Sequence, residues 1–184
     1  MPDSPFPRRD EADALRRARP IRLVCFDVDG TLTDGSIVIG PQGEALKRFS
    51  VRDGFGCNLL RRAGLKIAIV TGRSSPIVEH RGAELRFDHV MQGVKDKAVA
   101  LAQLCDAEGL TPDQVAFVGD DWPDLPALTR AGLAVAVPDA APEVLAVAHW
   151  IAPAPAGRGA VRAFAEWLLD AQGRLDALRA EFMA

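Results

Sequence analysis

Apolar residues in this chain fall into two kinds of pattern. The run Arg22–Phe26 does not alternate with polar residues, which predicts a strand buried on both faces, and Lys66–Val70, His89–Met91, Gln114–Val118 and Leu133–Val137 also read as strands. Between them, helical spacing appears at Gly54–Ala63, Pro76–Glu84, Lys95–Glu108 and Asp124–Ala131. Strand and helix alternating in this way predict a parallel sheet covered by helices, a Rossmann-like three-layer α/β/α fold. One segment breaks the alternation. Ser36–Ile39 and Ala45–Ser50 flank "GPQG", whose glycines and proline predict a turn, so the segment reads as a small β-hairpin flap over about 36–50. A last short strand at His149–Ile151 precedes the loop "APAPAGRG", and an amphipathic helix is expected from about Ala160 to about Phe182. Ahead of the first strand, residues 1–20 form a polar leader with a short helix at Glu11–Ala18.

Composition narrows the class without changing this outline. At 184 residues the chain is long enough to bury a core and needs no second domain, so 21–184 is expected to be one unit. Apolar residues make up 48% and charged residues 26%; the net charge of -3 supplies no basic footprint for nucleic acid, and a small-molecule partner is expected. Cys25, Cys57 and Cys105 sit in or beside apolar runs and cannot all pair within one chain, which suits a reduced, cytoplasmic protein. The first residues carry Pro2, Pro5 and Pro7 and mixed charge with no apolar core region, and no stretch approaches a bilayer span, so neither secretion nor membrane insertion is expected.

The chemistry collects at the strand ends. In open parallel sheets ligands bind beyond the carboxyl ends of the strands, where loops converge and helix N-termini point inward. The first strand ends in Asp27 and Asp29, the second in Thr71-Gly72-Arg73, the third in Gln92-Gly93 followed by Lys95 and Lys97, and the fourth in Gly119-Asp120-Asp121 with Asp124 beyond. Carboxylates from two neighbouring strand ends repel unless a hard cation lies between them, which implies a magnesium site (Mg2+). The hydroxyl and ammonium suit the other oxygens of a phosphoryl group, whose charge must be neutralised before an anionic carboxylate can attack phosphorus.

"DVDGTLTDG", "TGR", "QGVKDK" and "GDDWPD", in that order and at those strand ends, resemble the four motifs of the haloacid dehalogenase (HAD) superfamily of phosphatases. "VRDGFG" at Val51–Gly56, "GRGAVR" at Gly157–Arg162 and "AQGRLD" at Ala171–Asp176 further resemble its capless subfamily, which includes phosphatases of 3-deoxy-D-manno-octulosonate 8-phosphate. The resemblance runs from Ile21 to about Leu178. It implies a HAD core with no large cap domain and a metal-dependent phosphomonoesterase acting on that sugar acid in lipopolysaccharide precursor synthesis. A phosphatase for a nine-carbon sugar acid 9-phosphate of the sialic acid type is the enzymatic alternative. A non-catalytic binding scaffold is the other, weakened because Asp27 and Asp29 are both present.

By this resemblance Asp27 is the nucleophile that forms an aspartyl-phosphate, and Asp29 is the general acid and then base, with its backbone carbonyl on the metal. Gly30 allows the tight turn. Asp120 is the second side-chain metal ligand, and either Asp121 or Asp124 supports metal-bound water. Thr71 donates its hydroxyl to the phosphoryl group and Lys97 supplies positive charge, with Lys95 as its alternative. Substrate contacts are expected from Ser50, Val51, Arg52, Asp53, Gly54, Arg73, Arg81 and Arg158, since arginine forks suit a carboxylate. The family pattern usually carries Asn at the place of Ser50 and Arg at that of Asn58. So small a flap cannot seal a site, and similar proteins assemble four hairpins at the centre of a homotetramer; apolar Ile37, Val38, Ile39 and Phe49 agree with that. His80, His89 and His149 have no ligand spacing and are expected to be surface or structural residues. Cys57 is expected to pack, and Trp122 to be a wall of the site or a subunit contact.

Overall fold

The computed structural model describes residues 10–183. The first part of the leader therefore lies outside the described residues, while its short helix is present as α1, Glu11–Ala18, capped by the Asp10 carboxylate. Among the described residues eight strands follow in two sheets: β1 (Leu23–Phe26), β2 (Val38–Gly40), β3 (Gly43–Leu46), β4 (Lys66–Val70), β5 (His89–Met91), β6 (Val115–Gly119), β7 (Leu133–Ala136) and β8 (Trp150–Ile151). The large sheet has the order β5-β4-β1-β6-β7-β8 and is parallel throughout, as the alternation of elements predicts.

Unbroken apolar strands divide their side chains between two cores. Val24, Phe26, Ile67, Ile69 and Val118 face one side, where they meet Leu60 of α2 (Val51–Arg62) and Phe164 and Leu168 of α7 (Ala160–Ala171). Leu23, Cys25, Val70 and Phe117 face the other, against Leu101 of α4 (Lys97–Glu108) and Leu128 of α5 (Leu125–Leu128). Each fully buried side chain of this size contributes about 1.5–3 kcal/mol. A strand loaded on both faces in this way is confined to the sheet interior, and that keeps β1 between β4 and β6.

Element ends depart from the sequence pattern where capping decides them. Helix α2 begins at Val51 instead of Gly54, because the Ser50 hydroxyl accepts the Asp53 amide at 3.3 Å and starts the helix three residues early. The expected loop Ser50–Gly54 is thus a helix N-terminus. Helix α4 begins at Lys97 instead of Lys95, since Asp96 caps it through the Ala98 and Val99 amides. The helix expected over Asp124–Ala131 is a 3-10 turn at Trp122–Asp124 and then the short α5. Helix α6 (Pro142–Val147) had no counterpart in the sequence pattern. The long C-terminal helix divides into α7 and α8 (Leu175–Glu181), because Gly173 at φ 67° takes a left-handed conformation and ends the first segment. Helix α3 (Pro76–Glu84) lies where expected. The hairpin strands are shorter than expected, and a Thr33–Phe49 bridge closes the base of the flap.

Candidate active site

Strand order brings the carboxyl ends of β4, β1 and β6 side by side, and register decides what each delivers. Phe26 is level with Ile69 and Val118, and the Asp27 amide donates to the Val118 carbonyl at 2.9 Å. One step further out, Asp27 on the middle strand is flanked by the loops that carry Thr71 and Asp120. These three and Lys97 line one cleft of ≈ 300 Å³. Gly30, at φ 87°, turns the chain away from the sheet. A Cβ on Gly30 would lie 2.2 Å from Asp120 Oδ2, so glycine is what allows the Asp27–Asp29 loop to approach Asp120. The Thr31 hydroxyl donates to Asp120 Oδ1 at 3.0 Å and fixes that carboxylate.

Asp27, Asp120 and Asp124 each present one oxygen within 4.8 Å of the others. Lys97 Nζ lies 2.7 Å from Asp27 Oδ1 and 2.5 Å from Asp124 Oδ1. The other oxygen of Asp124 accepts the Asp120 amide at 2.9 Å and the Asp121 amide at 3.2 Å. Asp124 therefore grips Lys97 and the loop together, while Asp121 accepts the Trp122 amide at 2.8 Å and caps its own turn. Burial, reinforced by the Asp124 charge, pushes the Asp27 carboxyl up to about 6. Burial, followed by the Asp27 and Asp124 charges, pushes Asp120 up to about 7. Burial alone would lower the Lys97 ammonium, but the two carboxylates beside it outweigh that and raise it. Three carboxylates facing one ammonium leave a negative excess that a hard divalent cation would neutralise, so the donor set fits magnesium. Lys95 also lines the cleft, but Lys97 is the lysine that reaches Asp27.

Asp29 brings in two residues that the sequence reading missed. Its Oδ1 is bonded to the Lys47 ammonium, which comes from the hairpin, and its Oδ2 lies 3.7 Å from Arg73 Nε. Lys47 also lies 3.1 Å from Glu44, and Glu44 in turn reaches Arg73 at 3.4 Å and the Ser75 hydroxyl at 3.2 Å. In sequence, Glu44 and Lys47 form an ordinary pair of opposite charges three residues apart, and nothing local marks them as neighbours of Asp29.

Among the residues expected to contact substrate, Arg73 lines the cleft and the others do not line it in the single chain. Ser50 caps α2, and Val51 and Arg52 are exposed. Asp53 is 1% exposed, and its two oxygens accept the Gly159 amide at 3.0 Å and the Arg162 amide at 2.9 Å. Gly54 leaves room for Arg81, whose guanidinium would lie 2.5 Å from a Cβ there. Arg81 pairs with Glu84 at 2.7 Å and packs over Phe49. Arg158 belongs to the loop whose Gly157 packs on Thr33 and Asp34; the Ser36 amide holds the Asp34 carboxyl low, with the Arg48 and Arg158 charges adding to it. Asn58 is half-buried in α2.

Residues expected to be bland have ordinary partners. Cys57 is fully buried, its thiol pushed up to about 12 by desolvation. His149 Nδ1 accepts the Ala134 amide at 2.8 Å, and His89 meets Glu108 at 2.6 Å. Trp122 is exposed and donates its indole N–H to Glu143 at 2.8 Å.

Paired acids, a lysine and a threonine at adjoining ends of a parallel sheet define a hydrolase of phosphate esters by class, and the family comparison agrees. A model described as haloacid dehalogenase-like hydrolase matches residues 49–132, and, given the relatives that follow, the chain belongs to that family. KdsC of Escherichia coli K12, a 3-deoxy-D-manno-octulosonate 8-phosphate phosphatase, is 44% identical over 165 residues, spanning 90% of this chain and 88% of that protein. The crystal structure of the 3-deoxy-D-manno-octulosonate 8-phosphate phosphatase from Moraxella catarrhalis, in complex with magnesium ion, phosphate ion and KDO, is similar with a TM-score of 0.91 and 39% identity, covering 94% of this chain and 99% of that one. The cobalt-bound phosphatase of the same substrate from Haemophilus influenzae has a TM-score of 0.85 at 37% identity, covering 88% and 94%.

Proposed function

We propose that the chain is a magnesium-dependent phosphomonoesterase that hydrolyses 3-deoxy-D-manno-octulosonate 8-phosphate to KDO and phosphate through an aspartyl-phosphate on Asp27. The observation that carries this reading is the convergence of Asp27, Asp120, Lys97 and Thr71 on one cleft in a chain so similar to phosphatases of that ester. Magnesium, when bound, neutralises the ester oxygens and the carboxylates so that two anions can meet.

The residues of the chain then divide the work. Asp27 and Asp120 would hold the ion by their side chains, with the main-chain carbonyl of Asp29. The Asp27 carboxylate attacks phosphorus in line, so that an oxygen–phosphorus bond forms to Asp27 as the bond to the sugar oxygen breaks. Asp29 gives its proton to the departing sugar oxygen. Water then attacks the aspartyl-phosphate, Asp29 takes its proton, and Asp27 is regenerated with release of phosphate. Lys97, set against Asp27 at 2.7 Å, keeps the nucleophile oriented and supplies positive charge to the phosphoryl oxygens, while Thr71 donates its hydroxyl to them. Asp124 supports this arrangement by holding Lys97 and the Asp120 loop.

Arg73 at the cleft is suited to the sugar carboxylate. Arg81, Arg158 and the Ser50–Gly54 segment complete the substrate site in our reading only when copies of the chain assemble, as a homotetramer with hairpins at its centre. Exposed Ile37, Val38, Ile39 and Leu46 on the hairpin support that assembly. In this reading the reaction belongs to lipopolysaccharide precursor synthesis in the cytoplasm, carried out by 21–184 as one domain. No described helix is long and apolar enough to cross a membrane.

The test is phosphate release across sugar-acid and simple sugar phosphates in magnesium. The 8-phosphate of 3-deoxy-D-manno-octulosonate is expected to give the highest kcat/KM. A higher value for a nine-carbon 9-phosphate would replace the substrate, and no turnover of any ester would replace the enzyme reading by a binding one.

A further inference from the structure

The hairpin leaves most of its side chains exposed, Ile39 at 66%, yet it buries the side chain of a lysine. The Lys47 side chain is 0% exposed. Removing an ammonium from water costs several kcal/mol, and lysine is almost never fully buried unless it is paired. Here its partners are Asp29 and Glu44. If the hairpin only needed an anchor, an apolar side chain would hold it without the desolvation cost. The lysine instead reaches the carboxylate to which the reaction above assigns proton transfer.

The contacts form a closed ring. Asp29 is held at one oxygen by Lys47 from the hairpin and approached at the other by Arg73 from the loop after β4, at 3.7 Å. Glu44 joins the two cations, at 3.1 Å from Lys47 and 3.4 Å from Arg73, and is itself tied to the Ser75 hydroxyl at 3.2 Å. Two elements far apart in sequence thus set the rotation of one carboxylate. A general acid has to stand within about 2.6–3.2 Å of its proton acceptor, and misplacement by about 1 Å can cost about a hundredfold in rate.

We propose that Lys47, braced by Glu44, is the positioning residue of Asp29, so that the seated hairpin takes part in leaving-group protonation. The proposal rests on the phosphatase reading above.

Leaving-group dependence tests it, because p-nitrophenolate departs without a proton whereas a sugar alkoxide needs one. Wild type, Lys47→Met, Lys47→Arg and Glu44→Gln are compared by kcat/KM, which reports the steps through ester cleavage, on the sugar-acid phosphate and on p-nitrophenyl phosphate. For Lys47→Met we expect a fall of about ten- to a hundredfold on the sugar phosphate and less than about threefold on the aryl phosphate. Lys47→Arg should recover most of the loss. Equal falls on both esters, or none on either, would overturn the proposal. Should Lys47→Met fail to fold, Glu44→Gln carries the same comparison and must show the same dependence on leaving group. Wild type that cleaves some other alkyl phosphate and not the octulosonate ester would overturn the substrate assignment, and the Lys47 comparison would then be made on the ester it does cleave.

Discussion

At the residue scale the site is set by close approach. Gly30 combines φ 87° with a position where a Cβ would meet Asp120 Oδ2 at 2.2 Å. Gly30→Ala therefore strains the backbone, by about 1–3 kcal/mol, and displaces a metal ligand. We expect magnesium affinity to weaken by about tenfold or more, as it does when the orientation of a ligand is lost, measured by calorimetric titration. Asp27→Asn should reduce turnover by more than about a thousandfold while the protein still melts cooperatively, because the amide keeps the shape but is a poor nucleophile. Retained turnover would remove the covalent route. A pH dependence follows from the burial of Asp27 and Asp120: burial and the Asp124 charge raise Asp27 to about 6, and burial with the Asp27 and Asp124 charges raises Asp120 to about 7. Their folded values lie above the unfolded ones, so the metal-free folded state holds the extra protons, and the stability they contribute is fully present below the ordinary carboxylate value of 3.8 and is lost as pH rises from there through about 6 to 7. Magnesium competes with those same protons, so its affinity should strengthen over this window. Melting temperature with and without magnesium at several pH values checks both signs: the gap should widen from acid to neutral.

At the element scale, helix ends carry the functional consequences. Asp53, in a motif with Arg52 and Gly54, joins the start of α2 to the start of α7 by accepting the Gly159 and Arg162 amides. That bond holds in place the loop bearing Arg158. Asp53→Ala leaves two amides without their acceptor and should cost about 2–4 kcal/mol in chemical denaturation, with Asp53→Asn losing less because one acceptor survives. Gly56 serves the same joint: a Cβ there would lie 2.9 Å from the Arg162 Cα. The central strands β1, β4, β6 and β7 were legible in sequence because burial on both faces leaves an unbroken apolar run. Helix starts were less so. The three-residue shift of α2 and the late start of α4 follow from Ser50 and Asp96 acting as caps, which periodicity of apolar residues does not register.

On the scale of the whole molecule, the cleft is open and the hairpin above it is apolar on its outer side. The proposed tetramer would cover Val38, Ile39 and Leu46 and bring the Arg158 loop or the α2 N-terminus of one copy toward the cleft of another. Sedimentation should find four chains in the wild type and smaller species for Ile39→Glu, with sugar phosphate turnover falling alongside. A wild-type monomer of full activity would remove the need for partner residues.

The motifs at the strand ends were readable from the chain alone because each is local: a buried run must stop before an acid can follow, and in a parallel sheet all such stops fall on one edge. The order of motifs was therefore enough to bring Asp27, Thr71, Lys97 and Asp120 to one place and to imply the cation. Only the folded chain decided how the remaining polar groups were shared out. Asp124 went to Lys97, Asp53 to Gly159 and Arg162, and Lys47 to Asp29, across separations of 27, 106, 109 and 18 residues. Such pairings depend on which groups burial leaves without water, and that is settled by packing between elements, to which no stretch of sequence has access by itself.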